Sequence, residues 1–317
     1  MSVAPRTRVQ RRPVHGVLLL DKPLGLSSNQ ALQKVRWLLR ALKGGHTGTL
    51  DPLATGVLPL CFGVGTKFSS LHLEADKTYE AVVQLGVRTR TGDAEGEEIE
   101  RLPVPALDGV RLEAVRQRFL GPQQQLPPMH SALKKDGKPL YEYARAGIEV
   151  ERKPREVHIH ALQITPQPGV SADAPALHIH VHCGKGTYIR TLGEDIASAL
   201  GTVGHLSALR RTATGPFGEA DCIRLDALET MDEPARLACL QPPDVLLADH
   251  ERIILPNDAA GRFLTGMRQR GSWPDADRVA VYGDQPRALL GTAHVKAGEL
   301  IAGRLLSPVE LQQMLAQ

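Results

Sequence analysis

The chain has 317 residues, of which 42% are hydrophobic and 23% are charged, and its net charge is +3. These values are typical of a soluble globular protein with one large domain or two unequal ones. No apolar run reaches the roughly 18 residues that span a bilayer, and the N-terminus lacks the apolar core of a signal peptide, so a cytoplasmic protein without membrane contact is expected. Cys61, Cys183, Cys222 and Cys239 form no CxxC pair, which argues against a zinc site and favours reduced thiols.

The N-terminal region combines a basic arm with a predicted strand and helix. Residues 1–13 are expected to form a flexible arm whose cations are Arg6, Arg8, Arg11 and Arg12. Such an arm can contact a phosphate backbone, although a solvated terminus is the simpler interpretation. VHGVLLL at 14–20 predicts a buried strand, and Ser27 or Ser28 is expected to cap a helix that runs to about residue 42. The apolar positions assigned to this helix are Leu32, Val35, Trp37, Leu38 and Leu39.

Later segments alternate between strand and helix patterns. Strands are predicted at 77–87, 156–164 and 177–183, and helices at 108–120 and from about Thr191 to the glycines Gly201 and Gly204. The proline-bearing segment 121–129 is expected to break the first helix. After about residue 250, short β-like runs separated by Gly, Asp and Pro predict a small β-rich module.

The segment HSALKKDGKPLYEYARAGIEVERKPR at 130–155 is basic and carries tyrosines. Seven Lys or Arg fall between Lys134 and Arg155 against four acids, with Tyr141 and Tyr143 among them. Cations that meet phosphates and rings that stack on bases suit RNA binding. A solvated amphipathic helix with two core tyrosines explains the same residues equally well.

The loop GGHTGTLDPLATG at 44–56 is the strongest candidate for chemistry. Five of its thirteen residues are Gly or Pro, so its backbone can approach a ligand closely. Its one carboxylate, Asp51, is held extended by Pro52. An Asp-Pro turn with a satisfied carboxylate is the alternative. His178, His180 and His182 alternate along a strand, but nothing around them has metal-ligand spacing, so no metal is expected.

Six segments in chain order resemble motifs of the TruB-type tRNA pseudouridine-55 synthases. The loop around Asp51 is similar to their catalytic loop, and the others are GVLLLDKPLGLSSNQ, KTYEAVVQLGVRTRTGDAEGE, PPMHSALKKDGKPLYEYARAGIEVERKPR, GKGTYIRTLGEDI and HLSALRRTATGPF. They extend over about residues 14–217, and the core HTGTLDPLATG is highly specific. The chain is therefore identified as a member of this family.

The resemblance implies an α+β fold with a central mixed or antiparallel sheet, flanking helices and a cleft, followed by a small β-rich PUA-like domain. The implied division is a basic arm at 1–13, a catalytic domain at 14–250 with an RNA-gripping insertion at about 121–155, and a PUA-like RNA-binding domain at 251–317. The last region holds eight Lys or Arg against seven acids, so its sequence does not mark it as a strong phosphate binder.

The implied activity is the isomerisation of uridine 55 in the T loop of tRNA by base flipping and aspartate catalysis. No cofactor, metal or guide RNA is implied, and a monomer that binds the tRNA T arm without an obligatory protein partner is expected. The implied catalytic residues are Asp51, its ion-pair partner Arg190, and Tyr79, which packs on the flipped uracil. The implied substrate-binding residues are Tyr79, Tyr188, the pocket wall Leu209, His46, which helps to displace the bases, and Lys22, which braces the catalytic loop.

The chemistry of the reaction agrees with these residue types. The bond from sugar to base nitrogen breaks, the base turns, and it is rejoined through carbon, so no redox change is required. One ionised carboxylate can act as nucleophile or base, and Arg190 is expected to keep Asp51 charged by lowering its pKa. Which atom Asp51 attacks or deprotonates stays open. His130 stands where many members have tyrosine, which puts an RNA contact of the insertion in doubt.

Two other functions compete with this one. A guide-RNA-dependent synthase of the same family would have protein partners and a different C-terminal extension, and the insertion at 121–155 argues against it. A non-catalytic RNA-binding or tRNA-folding protein would not need Asp51, Tyr79 and Arg190 together. A folding role alongside catalysis is compatible with all three residues.

Overall fold

The computed structural model of the protein describes residues 10–168 and 174–317. Most of the predicted basic arm, including Arg6 and Arg8, lies outside the described residues. Within these ranges no helix is both long enough and apolar enough to cross a membrane.

Strands and helices alternate along the chain. The strands are β1 Gly16–Lys22, β2 Gly44–His46, β3 Ala54–Phe62, β4 Lys77–Leu85, β5 Val87–Thr89, β6 Glu98–Arg101, β7 Gly121–Gln125, β8 Lys134–Lys135, β9 Lys138–Pro139, β10 Arg155–Pro166, β11 Ala176–Cys183, β12 Gly204–Thr214, β13 Phe217–Gly218, β14 Ile223–Arg224, β15 Glu251–Leu255, β16 Gln269–Arg270, β17 Ala276–Gly283, β18 Ala288–Lys296 and β19 Glu299–Leu305. The helices are α1 Ser28–Leu38, α2 Gly65–His72, α3 Gly109–Arg118, α4 Leu140–Arg145, α5 Ile189–Ala199, α6 Leu225–Thr230, α7 Glu233–Ala238, α8 Asn257–Leu264 and α9 Pro308–Leu315. Two 3-10 turns lie at Glu219–Asp221 and Pro243–Leu247.

A large mixed sheet forms the centre of the molecule. Its strand order is β14-β1-β3-β12-β4-β11-β10-β7, with β2 added to β3 and β13 added to β12. Strand β12 is central: Leu209 lies opposite Ala54 of the parallel β3 and opposite Ala81 of the antiparallel β4. This architecture confirms the predicted α+β fold with a central mixed sheet.

One face of the central strands is apolar and packs against helices. On β4, Tyr79, Ala81 and Val83 are buried while Glu80 is exposed, as the period of two requires. The apolar side chains join one cluster with Leu192 of α5. Tyr79 and Leu209 therefore lie on the same face of the sheet as the helix that carries Arg190.

The C-terminal strands form a second sheet, in the order β15-β17-β18-β19-β16. This β-rich unit also contains α8 and α9, which the sequence did not predict. Its residues Tyr282, Leu289 and Leu306 share a buried cluster with Val17 and Val57 of the main sheet. The predicted small β-rich unit is confirmed, and an apolar contact joins it to the main sheet.

Helix α1 is shorter than predicted and does not bury Trp37. Ser27 caps it by accepting a hydrogen bond from the Gln30 N–H, and it ends at Leu38, because Arg40 has a left-handed backbone with φ of 52°. Trp37 is 61% exposed, so assigning it to the apolar face was wrong. The buried apolar side chains instead follow the helix period at Ala31, Leu32, Val35 and Leu38.

The segment 121–155 also differs from the prediction. Its first residues form strand β7, which pairs with β10 and extends the main sheet. The hairpin β8–β9 and the six-residue α4 follow, so an amphipathic helix through the whole segment is wrong. Tyr141 and Tyr143 are half-buried, with Arg145 and Lys138 at 5.3 and 4.9 Å from their ring centroids. The two rings are therefore not core residues.

Candidate active site

Asp51 lies in the loop between β2 and β3, where hydrogen bonds hold the backbone on both sides of it. Ser28, the first residue of α1, accepts a hydrogen bond from the Leu50 N–H at 2.7 Å and donates one to the Leu50 carbonyl at 3.0 Å. On the other side, the Pro52 carbonyl accepts a hydrogen bond from the Gly25 N–H at 2.9 Å. The Asp51 carboxylate therefore projects from a backbone that contacts within the chain already hold in place.

The side chain of Asp51 forms an ion pair with Arg190. Its Oδ2 lies 3.0 Å from Arg190 Nε. The other two guanidinium nitrogens donate to the carbonyls of Thr91 at 2.8 Å and His130 at 2.6 Å. The Arg190 side chain is 6% exposed and that of Asp51 is 38% exposed. The guanidinium is thus fully engaged, while the carboxylate keeps an open face.

A second carboxylate, Asp93, lies behind the same guanidinium. Its Oδ2 is 3.8 Å from Arg190 Nε, and its Oδ1 accepts hydrogen bonds from the Thr91 hydroxyl at 2.5 Å and the Glu95 N–H at 3.1 Å. Asp93 is 3% exposed and is not among the residues predicted from the sequence. The sequence shows an acidic residue in a polar turn after β5, but nothing in the sequence connects that turn to α5 and so to Arg190.

Burial decides the pKa of Asp51. Removal from water raises the pKa of this carboxyl above its ordinary value, and Arg190 offsets that rise without reversing it. The charge of Asp93 raises this pKa further, whereas Lys22 lowers it. Arg190 lowers the pKa of Asp51, as predicted, but burial outweighs this effect and the net shift is upward. Asp51 is a stronger base than an aspartate in water.

Tyr79 and Leu209 supply apolar surface on neighbouring strands near the catalytic loop. Leu209 is 9% exposed and pairs with Ala54, whose N–H donates to the Asp51 carbonyl at 3.1 Å. Tyr79 is 8% exposed, and burial raises the pKa of its phenol. The Arg211 guanidinium lowers the pKa of Tyr79, and the negative charge of Asp51 raises it.

Tyr188 immediately precedes α5, which begins at Ile189 and not at the predicted Thr191. Gln125 holds the Tyr188 backbone from both sides. Its Oε1 accepts from the Tyr188 N–H at 2.7 Å, and its Nε2 donates to the Tyr188 carbonyl at 3.0 Å. This contact ties the base of the insertion to the start of the helix that carries Arg190.

Lys22 braces the turn that contacts the catalytic loop. Its side chain is fully buried and donates to the carbonyls of Pro23 at 2.9 Å and Leu26 at 2.5 Å. Gly25, inside that turn, bonds the Pro52 carbonyl next to Asp51. Burial lowers the pKa of Lys22 to about 8, and the charge of Asp51 opposes this shift.

His46 ends β2 and lies next to the catalytic loop. Burial lowers its pKa, and the nearby Arg211 guanidinium lowers it further, so the neutral imidazole is favoured. Its Nδ1 is buried and has no hydrogen-bond partner in the part of the chain that is described.

Arg211, the largest fully buried side chain of the described residues, is not among the site residues predicted from the sequence. Its Nε donates to the Val57 carbonyl at 2.7 Å, and its Nη2 donates to the Gly48 carbonyl at 3.2 Å, so it holds both sides of the catalytic loop. A Cβ at Gly56, where φ is +99°, would lie 2.2 Å from the Arg211 carbonyl. The period of two along β12 could have placed Arg211 on the face of Leu209.

Known proteins match this chain over nearly its whole length. Residues 36–189 match the N-terminal domain model of the TruB family of pseudouridylate synthases, and residues 190–260 match a C-terminal domain model of tRNA pseudouridylate synthase B. The tRNA pseudouridine synthase B of Verminephrobacter eiseniae is 61% identical over 318 residues, which cover 100% of this chain and 96% of that protein. The chain belongs to the TruB family of pseudouridylate synthases.

A further TruB-family protein and a more distant solved structure are also similar to this chain. The tRNA pseudouridine synthase B of Ralstonia nicotianae is 54% identical over 301 residues, covering 93% of this chain and 95% of that protein. A solved Cbf5-Nop10-Gar1 complex contains a chain that is 22% identical, with a TM-score of 0.69 over 98% of this chain and 92% of that one. At this identity the likeness shows the fold alone.

Proposed function

We propose that this TruB-family protein converts uridine 55 in the T loop of tRNA to pseudouridine without a guide RNA. Full-length relatives that are 51–61% identical carry the name tRNA pseudouridine synthase B, which supports tRNA as the substrate. The observation that carries the catalytic part is the 3.0 Å ion pair between Asp51 and Arg190, with the open face left to Asp51.

The proposed reaction is balanced within the substrate. The N1–C1′ bond of the uridine breaks and a C5–C1′ bond forms, while C5 loses a proton and N1 gains one. No oxidant or group donor takes part. Asp51, whose pKa burial raises, supplies the carboxylate that acts as nucleophile or base. Arg190 stabilises the ionised form of that carboxylate.

The uracil must leave the stacked loop to reach Asp51, so the proposal includes base flipping. The buried ring of Tyr79 and the side chain of Leu209 would hold the detached base while it turns. Tyr188 would line the same pocket. His46 would contact the displaced nucleotides.

The exposed cations of the insertion, on its hairpin and α4, would bind the phosphates of the T arm. A cavity of about 700 Å³ beside Thr91 and His130 is lined by three arginines and three acids, so its charge is balanced and it is not assigned to phosphate binding. We also propose that the catalytic domain ends at residue 250 and that the C-terminal unit binds RNA.

The backbone carbonyl of His130 accepts a hydrogen bond from Arg190. The presence of histidine where many family members have tyrosine therefore leaves this contact intact.

The test is to incubate the purified protein with an unmodified tRNA transcript and to map pseudouridine at nucleotide resolution. We expect product at position 55 from the wild type alone, and a loss of at least about 1000-fold in Asp51→Asn, because the amide cannot act as base or nucleophile. Asp277→Asn, a change at an exposed carboxylate of the C-terminal unit, is the matched control.

Each contrary result identifies the part of the proposal that fails. No product without an added guide RNA would reject the guide-free activity. Product at another uridine would reject position 55. A wild-type rate from Asp51→Asn would reject the catalytic assignment while leaving tRNA as the substrate.

A further inference from the structure

The described end of the N-terminal arm is fixed against the residues that follow α1. The Arg12 N–H donates to the Arg40 carbonyl at 2.9 Å, and the Leu42 N–H donates to the Arg12 carbonyl at 3.0 Å. These bonds form a parallel bridge between Arg12 and Ala41. The arm is therefore ordered at this point and adds its cations to those of the α1 end.

The charges gathered there are unbalanced. Within the described ranges, Glu233 is the carboxylate that pairs with this group, at 2.5 Å from Arg12 and 3.6 Å from Arg40. Arg36 donates to the carbonyls of Ala41 and Leu42 and not to an acid. The five cations of the group are Arg11, Arg12, Arg36, Arg40 and Lys43.

Two large apolar side chains are exposed among these cations. Trp37 is 61% exposed and Leu42 is 51% exposed. Trp37 follows Arg36 directly and lies three residues before Arg40, so an exposed indole and cations share the end of α1. Single-stranded RNA can bind such a surface, because its bases stack on the ring while its phosphates meet the cations. We call the five cations together with Trp37 and Leu42 the Trp37 patch.

The Trp37 patch adjoins the candidate active site along the chain. Lys43 directly precedes β2, whose last residue is His46. Since a strand rises roughly 3.3 Å per residue, Lys43 and His46 are about 10 Å apart. RNA that places a uridine at Asp51 thus has neighbouring parts within reach of the patch.

We propose that the Trp37 patch binds a part of the tRNA substrate outside the T stem-loop, with Trp37 stacked on an unpaired base and the cations on phosphates. This inference rests on the proposed function, because it takes tRNA as the substrate. A second copy of the chain is a poorer occupant, since a symmetric contact would bring two sets of five cations together.

Fluorescence of Trp37 gives a direct test. The chain has two tryptophans, so Trp273→Phe leaves Trp37 as the single reporter, and Asp51→Asn prevents turnover. We expect full-length tRNA to quench this fluorescence and an isolated T stem-loop not to. Trp37→Ala should weaken tRNA binding about tenfold, the effect of losing one base stack, and Trp37→Phe should restore most of it.

Substitutions of charge and of a distant apolar residue complete the test. Arg11→Ala, at the exposed patch cation that is furthest along the chain from β2, should lower the slope of log Kd against log salt by about 1 for tRNA and leave it unchanged for the stem-loop. Val110→Ala, at a residue of α3 that is 83% exposed, should change neither affinity.

Two outcomes would overturn the inference. One is equal loss of affinity for tRNA and stem-loop in Trp37→Ala. The other is quenching that follows protein concentration without RNA, which would indicate self-association. The proposed function is tested separately by pseudouridine formation on the stem-loop, to which the Trp37 patch contributes nothing under this inference.

Discussion

At the scale of single residues, one guanidinium serves two carboxylates with different surroundings. Asp93 is buried and held by the Thr91 hydroxyl and the Glu95 N–H, so it acts as a fixed counter-charge. Asp51 shares Arg190 but keeps a solvent-facing side. The partly open carboxylate is the one that can meet a substrate, and the buried one tunes its basicity.

Asp93→Asn should shift the acid limb of the pH–rate profile to lower pH. The charge of Asp93 raises the pKa of Asp51, so a neutral amide at position 93 lets Asp51 stay ionised as the pH falls. Single-turnover rates between about pH 4 and pH 8 would measure the limb for both proteins. A shift toward higher pH would contradict this account. Asp277→Asn should leave the limb in place.

At the scale of elements, adjacent serines at the start of α1 have separate tasks. Ser27 caps the helix, with Gln30 completing the reciprocal pair of bonds. The Ser28 hydroxyl instead bonds both the N–H and the carbonyl of Leu50, the residue before Asp51. Helix α1 therefore positions the loop that carries Asp51 through a single hydroxyl.

Ser28→Ala should lower kcat far more than Ser27→Ala does. The first change leaves the buried N–H and carbonyl of Leu50 without a partner, at about 1–3 kcal/mol of stability, and loosens the loop. A shift of the catalytic group by about 1 Å can cost 100-fold in rate. Ser27→Ala should cost about 1 kcal/mol of stability with near-normal kcat. Chemical denaturation and single-turnover kinetics of both variants would check the contrast, and equal kcat values would refute it.

The same elements show what the sequence could and could not predict. Asp51, Tyr79 and Leu209 could be proposed from the sequence because each belongs to a contiguous motif with a recognisable family pattern. Ser28 and Asp93 were missed because their partners, Leu50 and Arg190, are distant in the chain. The net direction of the Asp51 pKa shift could not be predicted, because it depends on how much water the fold removes, which no local pattern records.

At the scale of the whole molecule, the C-terminal sheet is packed against the main sheet. Val17 and Val57 of the main sheet share a buried cluster with Tyr282 and Leu306. Polar contacts reinforce this boundary, since Lys67 donates to Glu310 at 2.6 Å and to the Leu305 carbonyl at 2.9 Å. An apolar contact of this kind opposes independent motion of the two units.

The two sheets should therefore unfold together. Leu306 is 1% exposed, and Leu306→Ala should destabilise the protein by about 2–5 kcal/mol through the cavity it leaves. Differential scanning calorimetry should show one transition in the wild type and one at lower temperature in the variant. Two resolved transitions in the wild type would show that the units are independent. Val110→Ala, at an exposed site, is the control.

Strand β12 has a consequence for how the protein is made on the ribosome. It fills the gap between β3 and β4, although it follows β4 by more than a hundred residues. At about 5–20 residues per second, translation needs roughly 6 to 24 seconds to pass from Leu85, the end of β4, to Gly204. Through that interval the nascent chain carries two strand edges that await the same partner, and unpaired edges promote aggregation. Slow synthesis or a scarcity of chaperones would therefore increase aggregation of the nascent chain.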